Sequence, residues 1–368
     1  MAELWIQTAL APAREVAAQA ARLEADGWGG VMVFDSQSLI ADPYVVLALA
    51  AASTRRLGLG VGVTNPATRH AAVAASAIAS IQEASAGRAV LGIGRGNSSL
   101  AFLGAAPAAM SDFEDYVRML QAYLAGEGVP VEDLLKRRDG LRALDRDRLG
   151  RAPEESRLQW LDPASPKVPV EVAATGPKAI ALGARLADRL SFSLGADEAR
   201  LAEAIAAARD AAQACGRARP LPFTAYVSVI PLEDLPRARR LAAPDVAMHA
   251  HIATESRTNL DRMSPSDREV AERLAGAYDM TRHGRHGAQT DVLGDAFIDA
   301  HAVVGAPAAC VERLRRLARL GLDRLVLLMP PITRDDTRAA YEAAVRQVLP
   351  VFAGESANAA RNAAPGRR

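Results

Sequence analysis

Short apolar runs alternate with longer amphipathic runs along most of the chain. Eight of the apolar runs have the length of a β-strand, and they cover residues 4–8, 30–34, 57–63, 88–93, 168–173, 189–193, 223–230 and 324–329. Between them, apolar residues recur at helical spacing, as over residues 13–25 and 71–84. Strands that alternate with helices indicate repeated βα units and a parallel sheet. Eight of them predict an α/β fold, the closed (β/α)8 TIM barrel.

Two longer segments interrupt this alternation. Residues 127–167 are charged and lead into a proline-rich stretch, whereas residues 242–302 contain much of the histidine. Because long structureless loops are uncommon in a compact domain, we expect both insertions, after the fourth and the seventh strand, to contain helices. Active sites of TIM barrels lie at the carboxyl ends of the strands, so we expect both insertions to shape a pocket there. We predict one domain over residues 1–354, followed by a disordered tail at 355–368.

The composition favours a small-molecule partner. With 44 basic and 43 acidic residues the formal charge is +1, so no strong field attracts nucleic acid or an anionic membrane. The two cysteines, Cys215 and Cys310, lie far apart, which indicates neither a disulfide framework nor a thiolate metal site. No basic leader precedes the first strand, and no apolar run reaches the roughly 20 residues that cross a bilayer. We therefore expect a cytoplasmic protein that binds neither nucleic acid nor membrane.

The end of the third predicted strand carries the first candidate site. It reads Gly62-Val63-Thr64-Asn65, and Pro66 follows and stops the strand. Small residues at such a point let a planar ring approach the backbone closely. We therefore predict that Gly62, Val63, Thr64 and Asn65 contact a ring-shaped cofactor.

Glycines also follow the fourth predicted strand. The series Gly92-x-Gly94-x-Gly96 is similar to the fingerprint of dinucleotide-binding folds, in which glycines bring the backbone close to phosphate. The third glycine is misplaced, however, and no acidic residue follows at the expected distance. A dinucleotide site is therefore a weak interpretation of this series.

A turn after the fifth predicted strand has the features of an anion site. Thr175-Gly176-Pro177-Lys178 opens a helix, with Pro177 in the first turn, where its missing N–H costs nothing. The backbone N–H groups and the helix dipole there attract a phosphate, and the small Ala174 allows close approach. Lys178 either adds positive charge or points into solvent. We predict that residues Ala174, Thr175, Gly176, Pro177 and Lys178 bind the phosphate of a cofactor.

Residues 57–97 and 170–188 closely resemble the bacterial luciferase-like superfamily, and weaker similarity covers nearly the whole chain. The chain is similar in particular to the methylenetetrahydromethanopterin reductase-like group, which uses the deazaflavin coenzyme F-420. The resemblance implies a TIM-barrel oxidoreductase that binds a flavin-type ring, acts on a small-molecule substrate and forms a homodimer. For the site, it implies a non-prolyl cis peptide bond between Gly62 and Val63. It also implies that Gly94, Gly96 and Asn97 form one wall of the cofactor site.

The chain departs from its apparent relatives at two positions beside the expected ring. Many relatives carry Asp-His where this chain has Asp35-Ser36, and many carry a carboxylate where it has Asn97. Asp35 keeps the acidic group, which hydrogen-bonds the ring, acts as an acid, or merely caps a helix. Because the Asn97 amide has no acidic proton, the proton must come from elsewhere or from water. The predicted catalytic residues are Asp35, Ser36 and Asn97.

Two further groups of residues have more than one interpretation. Arg69 and His70, at the start of a helix, either cap that helix or line the pocket. The histidine pairs of the second insertion suggest a metal, but no carboxylate motif accompanies them, so roles at the surface or in the substrate pocket are favoured. These histidines are His249, His251, His283 and His286.

The sequence therefore predicts hydride transfer between coenzyme F-420 and a small organic substrate with a C=N, C=C or C=O bond, in either direction. One alternative is an FMN-dependent luciferase-like monooxygenase, which would use the same barrel and phosphate site. A second alternative is a noncatalytic flavin-binding protein, suggested by the departures at Ser36 and Asn97. The identity of the bound ring and of the substrate distinguishes the three.

Overall fold

The computed structural model describes residues 2–136, 152–254, 257–329 and 335–354, and within them nine parallel strands form one sheet. A separate antiparallel pair, β5 and β6, lies outside it. In chain order the strands are β1 (Glu3–Gln7), β2 (Gly30–Val33), β3 (Gly58–Thr64), β4 (Ala89–Ile93), β5 (Val129–Pro130), β6 (Glu155–Ser156), β7 (Val170–Ala174), β8 (Arg189–Phe192), β9 (Phe223–Pro231), β10 (Ala302–Gly305) and β11 (Arg324–Leu328).

Eight of these strands close into a barrel. They follow the order β1, β2, β3, β4, β7, β8, β9 and β11, and β11 pairs with β1 to complete the circle. The predicted TIM barrel is therefore confirmed. Each of the eight predicted strands is present, with ends that differ from the predicted ends by two residues at most.

Helices connect the strands and cover the outside of the barrel. Their apolar sides are buried, as Ile78 and Leu314 illustrate with no exposed surface. In chain order the α-helices are α1 (Val16–Ala25), α2 (Pro43–Ser53), α3 (Ala71–Ala84), α4 (Ser98–Ala101), α5 (Met110–Leu124), α6 (Val131–Lys136), α7 (Pro177–Leu186), α8 (Glu198–Ala214), α9 (Leu235–Thr254), α10 (Arg257–Leu260), α11 (Pro265–Ala277), α12 (Ala288–Asp291), α13 (Asp295–His301), α14 (Pro307–Arg319) and α15 (Asp335–Ala343). Within the described ranges, no helix is both long enough and apolar enough to cross a membrane.

Strand β10 was not predicted. It follows α13 directly and pairs in parallel with the last residues of β9, from Ser228 to Pro231. The nine residues of β9 reach beyond the neighbouring barrel strands, so their outer backbone groups need a partner. The short Val303-Val304 run supplies it, but such a run is too brief to distinguish from the end of a helix.

The first insertion lies at the opposite end of the barrel from the one expected. Its described residues, 127–136 and 152–167, come after α5 rather than directly after β4. Gln82, near the end of α3 and just before the start of β4, donates to the Pro166 carbonyl at 3.0 Å. The expectation that this insertion shapes the pocket at the carboxyl ends is therefore wrong for its described part. It does contain secondary structure of its own, namely α6 and the β5–β6 pair.

The second insertion lies at the carboxyl ends of the strands, as expected, and is helical. Helices α9 to α13 form it, and they bury an apolar cluster of their own that includes Val246, Leu274 and Phe297. Because α9 continues directly from β9, this cluster lies beside the barrel mouth. The predicted tail at 355–368 falls outside the described residues.

Candidate functional site

The carboxyl end of β3 carries a bulge. The pairing of β3 with β4 shifts register between Val61 and Thr64, and the Gly62–Val63 peptide bond is cis. The cis bond that the resemblance implied is therefore confirmed. The Gln7 side-chain amide donates to the Gly62 carbonyl across the barrel, and Val63 is half-buried. The Val63 side chain and its backbone are thus the part of the bulge that a ligand can reach.

Glycines keep the space around this bulge open. A Cβ on Gly94 would lie 3.1 Å from Val63 Cγ2 and 3.7 Å from the Ala173 Cβ. A Cβ on Gly62 would lie 2.9 Å from the Tyr226 hydroxyl. The bulge and the end of β7 therefore face each other across Gly94 at the carboxyl end of the barrel.

The side chains of Thr64 and Asn65 have protein partners. Both residues have no exposed surface. Thr64 Oγ1 donates to Asp35 Oδ2 at 2.6 Å, and Asn65 Oδ1 accepts from the backbone N–H groups of Ala67 and Thr68 at 3.0 Å each. Contact between a cofactor and these two residues would therefore involve their backbone.

Asp35 is the centre of a buried polar network at the end of β2. It is 2% exposed, and its Oδ2 also accepts from Arg69 Nη1 at 2.7 Å. Arg69 makes a second ion pair with Asp42 and lies 4.7 Å from the centroid of the Tyr44 ring. The helix-capping alternative for Asp35 is wrong, because Asp42 caps α2. The geometry makes Asp35 an anchor for Arg69 and Thr64.

The loops that follow β2, β3 and β4 are joined to one another. Gln37 Nε2 donates to the Ser99 carbonyl at 2.8 Å, and Asn65 Nδ2 donates to Ser99 Oγ at 3.3 Å. Ser36 and Asn97, which precede these contacts in their loops, are both half-buried. The structure therefore brings Ser36 and Asn97 to the same end of the barrel as the bulge.

Two residues that the sequence analysis singled out at the barrel rim have structural roles. His70 is the N-cap of α3, and its Nδ1 accepts from Ala72 N–H at 3.2 Å. Capping is thereby confirmed for His70. Gly96 has a φ of +82°, and a Cβ there would lie 2.7 Å from the Asn65 Cβ. Only glycine fits this position without strain, so Gly96 maintains the shape of the loop after β4.

The turn between β7 and α7 presents unused backbone donors. Gly176 is the N-cap of α7 and has no side chain that could cap the helix. Pro177 follows in the first turn. The first N–H groups of a helix need an outside acceptor, and a phosphate is a suitable one. Asn259 of α10 is 3% exposed and adjoins the turn, because a Cβ on Gly176 would lie 3.0 Å from its Oδ1. Lys178 is exposed.

A cavity lies at the carboxyl ends of β8, β9 and β11, and the space between its walls, open solvent included, is about 410 Å³. Tyr226 connects it with the bulge, because its hydroxyl approaches Gly62. The second insertion supplies much of the wall. Polar residues that line this cavity are Ser193, Arg200, Tyr226, Ser228, Asp245, His249 and His301.

Asp245 was missed by the sequence analysis. It lies on α9, where burial raises the pKa of its carboxyl to about 6, while the neighbouring Ser228 hydroxyl lowers it to a smaller extent. That hydroxyl faces the carboxyl but lies outside hydrogen-bond geometry. His249 Nδ1 contacts the Asp245 carbonyl oxygen at 2.8 Å, and burial lowers the pKa of His249. The i, i+4 spacing of Asp245 and His249 was the available signal, since it places both on one helix face.

An aromatic cluster joins the second insertion to the opposite side of the mouth. The rings of His251 and Tyr278 stack with centroids 3.9 Å apart, and the Tyr278 hydroxyl lies 2.8 Å from His283 Nδ1. Phe102, in the loop after β4, meets the His283 ring edge-on at 6.2 Å. Burial, together with the nearby His251 and His249, lowers the pKa of His283 to about 4. These contacts extend the second insertion across the barrel mouth.

The remaining titratable residues do not form a metal site in the part of the chain that the structure describes. There, no group of three or more His, Cys, Asp or Glu residues is arranged to hold a metal ion. His286 is exposed. Cys215 is an exposed free thiol, and Cys310 is a buried one.

Comparisons with known proteins identify the family and the fold. The model of the luciferase-like monooxygenase family matches residues 2–324. The 5,10-methylenetetrahydromethanopterin reductase of Methanolobus tindarius is 25% identical over 87% of this chain and 91% of that relative. The protein of the same name from Archaeoglobus fulgidus is 28% identical over 83% of this chain and 86% of that relative. The solved coenzyme F420-dependent tetrahydromethanopterin reductase from Methanopyrus kandleri has the same fold, with a TM-score of 0.72 and 20% identity over 95% of this chain and 99% of that one.

Proposed function

Because the chain belongs to the luciferase-like monooxygenase family, we propose that it is a coenzyme F-420-dependent oxidoreductase. It transfers a hydride between the deazaflavin and a small organic substrate with a C=N, C=C or C=O bond. The relatives named as methylenetetrahydromethanopterin reductases support this proposal and make a reduced pterin with a one-carbon unit the first substrate class to test. The observation that carries it is that the Gly62–Val63 bulge and the end of β7, which leads into the uncapped turn at Gly176, both approach Gly94.

In this proposal the chain binds the coenzyme at two points. The backbone at Val63 and the open space at Gly94 hold the ring, because a side chain at position 94 would fill that space. The first N–H groups of α7 hold the phosphate, while the exposed Lys178 adds positive charge. The bound coenzyme supplies or accepts the hydride. The second insertion excludes water from the ring.

The ring-side residues of the proposal have different tasks. Asp35 positions Arg69 and Thr64, since its Oδ2 already accepts from both. Ser36 and Asn97 are proposed to hydrogen-bond the ring or the substrate. Because neither a hydroxyl nor an amide is a strong acid, the proton that balances hydride transfer must come from another group or from water.

A side-by-side titration with coenzyme F-420 and FMN tests the proposal. We expect tight binding of the deazaflavin, followed by oxidation of its reduced form when a suitable substrate is added. Ring absorbance reports both steps. If no member of a broad substrate set oxidises the reduced deazaflavin bound to the protein, the proposed function is contradicted.

The FMN-dependent monooxygenase remains the second candidate, because the family takes its name from monooxygenases. The mass and visible spectrum of a ligand extracted from the purified protein identify the ring. Oxygen consumption with reduced FMN would favour this candidate. Tight binding of a ring without any turnover would instead favour the noncatalytic flavin-binding protein.

We also propose that the protein is a homodimer. Helices α2 and α3 are neighbours, and they expose Val45 (55%), Leu49 (39%) and Val73 (56%) to solvent. Apolar side chains exposed together on adjoining helices favour burial against a second copy. Light scattering of the wild type and of a Val45→Glu, Val73→Glu variant measures the mass of each, and a dimeric double variant would contradict this interface.

A further inference from the structure

The cavity at the ends of β8, β9 and β11 contains buried polar atoms that have no partner. Ser228 is 3% exposed and His301 is 8% exposed. Among the described residues, neither Ser228 Oγ nor His301 Nε2 has a hydrogen-bond partner, although Ser228 Oγ faces Asp245 and His301 Nε2 lies 4.0 Å from Asp267 Oδ2. An unsatisfied buried polar atom costs about 1–3 kcal/mol, so two of them in one cavity point to a ligand that supplies their partners.

The Asp245 carboxyl opens into the same cavity. It faces Ser228, and among the described residues no basic side chain lies within ion-pair distance of it, in contrast to Asp35 at the other side of the mouth. The titratable or charged groups around Asp245 are His249 on its own helix, Tyr226 on β9, Arg200 on α8, His301 on α13 and Tyr278 after α11.

The cavity is next to the expected position of the ring. Tyr226 lines the cavity, and its hydroxyl lies 2.9 Å from the point where a Cβ on Gly62 would be. On the other side, Met263 lines the cavity three residues after Leu260 ends α10, the helix whose Asn259 adjoins the turn at Gly176. A molecule in this cavity would therefore lie against a ring held at the bulge.

From this arrangement we propose that the cavity binds the substrate and that the Asp245 carboxyl gives it the proton that accompanies the hydride. The polar edge of the substrate is held by Ser228 Oγ and His301 Nε2. The proposal rests on the proposed function, and it names the acid that Ser36 and Asn97 cannot provide. We expect a substrate with both a reducible double bond and a hydrogen-bonding edge, because that edge would supply the partners of these two atoms.

The proton transfer balances as follows. The hydride forms a C–H bond at one end of the C=N, C=C or C=O bond, and the π electron pair moves to the other atom. That atom takes the proton from the Asp245 carboxyl, so an N–H, C–H or O–H bond forms and the carboxyl O–H bond breaks. The substrate is reduced by two electrons and the deazaflavin is oxidised by two. Asp245 remains as a carboxylate, which recovers a proton from water.

The pKa of about 6 gives this role a distinct pH profile. An acid must be protonated to act, so the rate of reduction is constant below about pH 6 and falls tenfold for each pH unit above it. In the reverse direction Asp245 acts as a base, so that rate rises with pH and becomes constant above about pH 6.

Replacement of Asp245 by Asn tests the assignment. We expect Asp245→Asn to slow reduction at least 100-fold and to abolish the pH dependence near 6, while affinity for the coenzyme stays within twofold. Asp245→Glu should restore part of the rate together with a titrating group, since it keeps a carboxyl at this position. Glu272→Gln, an exposed change on α11, is the matched control and should behave like the wild type.

A second measurement does not depend on turnover. Infrared difference spectra of the coenzyme-free protein should show a carboxyl that titrates near pH 6 in the wild type and in Glu272→Gln, and that is missing from Asp245→Asn. Failure of the wild type to oxidise the reduced coenzyme would count against the proposed function. If the wild type turns over and Asp245→Asn retains its rate and pH profile, or if no carboxyl titrates near 6, the role of Asp245 is overturned.

Discussion

The acidic residues on the two sides of the barrel mouth have different surroundings. On the side of β2, β3, β4 and β7, Asp35 is 2% exposed and accepts hydrogen bonds from Thr64 and Arg69. On the side of β8, β9 and β11, Asp245 is half-buried in a cavity where Ser228 and His301 have unpartnered polar atoms. A satisfied carboxylate fixes the structure around it, whereas a carboxyl without a cation is available for proton transfer.

This contrast indicates that one side supports the coenzyme ring and the other binds the substrate. The first side gives the ring a rigid support, because its glycines and its polar network leave little freedom for rearrangement. The second side is formed largely by an insertion, and it leaves donors and acceptors for a substrate. The coenzyme and the substrate should therefore respond to different substitutions, which the following predictions exploit.

The largest expected effect is the loss of coenzyme binding in Gly176→Asp. The residue is an uncapped N-cap in extended conformation, so an aspartate there would accept from the first N–H groups of α7 and repel a phosphate. We expect coenzyme affinity to fall on the order of 1000-fold, about 4 kcal/mol, while the cap stabilises the fold by about 1 kcal/mol. Fluorescence titration and thermal unfolding measure the two effects.

Gly294→Asp provides the matched control. Gly294 is also an uncapped N-cap, of α13, with nothing within 4 Å of the position of its Cβ. It should stabilise the protein to a similar extent and leave coenzyme binding unchanged. Equal binding by the wild type and Gly176→Asp would contradict the phosphate site and would remove the first side's role in coenzyme binding.

The first side of the mouth was largely predictable from the sequence. Its barrel strands, the cis bond at Gly62–Val63 and the turn at Gly176 lie in contiguous motifs whose local chemistry is visible in one segment. The pairing of Asp35 with Arg69 was not predicted, because 34 residues separate the two and only the parallel arrangement of β2 and β3 brings them together.

The second side could not be predicted in the same way. Its cavity combines Ser228 from β9, Asp245 from α9 and His301 from α13, and the packing of an insertion without a recognisable motif decides their positions. The same limit explains the error for residues 127–167. Their length predicted helices, but nothing in the sequence indicated which end of the barrel they would cover.

The second prediction concerns the stability that Asp35 provides. Asp35→Asn removes the charged acceptor of Arg69 and Thr64, so we expect the free energy of unfolding at pH 7 to fall by about 2 kcal/mol. Urea unfolding measures it. Asp210→Asn, an exposed change on α8, should shift the value by less than about 0.5 kcal/mol. If both variants are equally stable, Asp35 does not anchor the network.

The smallest expected effect is a gain in stability, rather than a loss, when Asp245 on the other side of the mouth is replaced. In the folded protein the pKa of Asp245 is about 6, above its ordinary value of 3.8, so the folded state holds the proton more tightly than the unfolded state. Ionisation of Asp245 therefore destabilises the fold as the pH rises through 6, and the penalty is small near pH 4. The shift corresponds to a ceiling of about 3 kcal/mol.

Asp245→Asn removes this penalty. Since Asp245 is only half-buried, we expect the variant to be more stable than the wild type by about 1 kcal/mol at pH 7 and by much less at pH 4. Urea unfolding at both pH values, with Glu272→Gln as the control, measures the difference. A gain that is the same at both pH values, or a loss like that expected of Asp35→Asn, would mean that Asp245 is a structural carboxylate. In that case the two sides of the mouth would not differ in the way proposed.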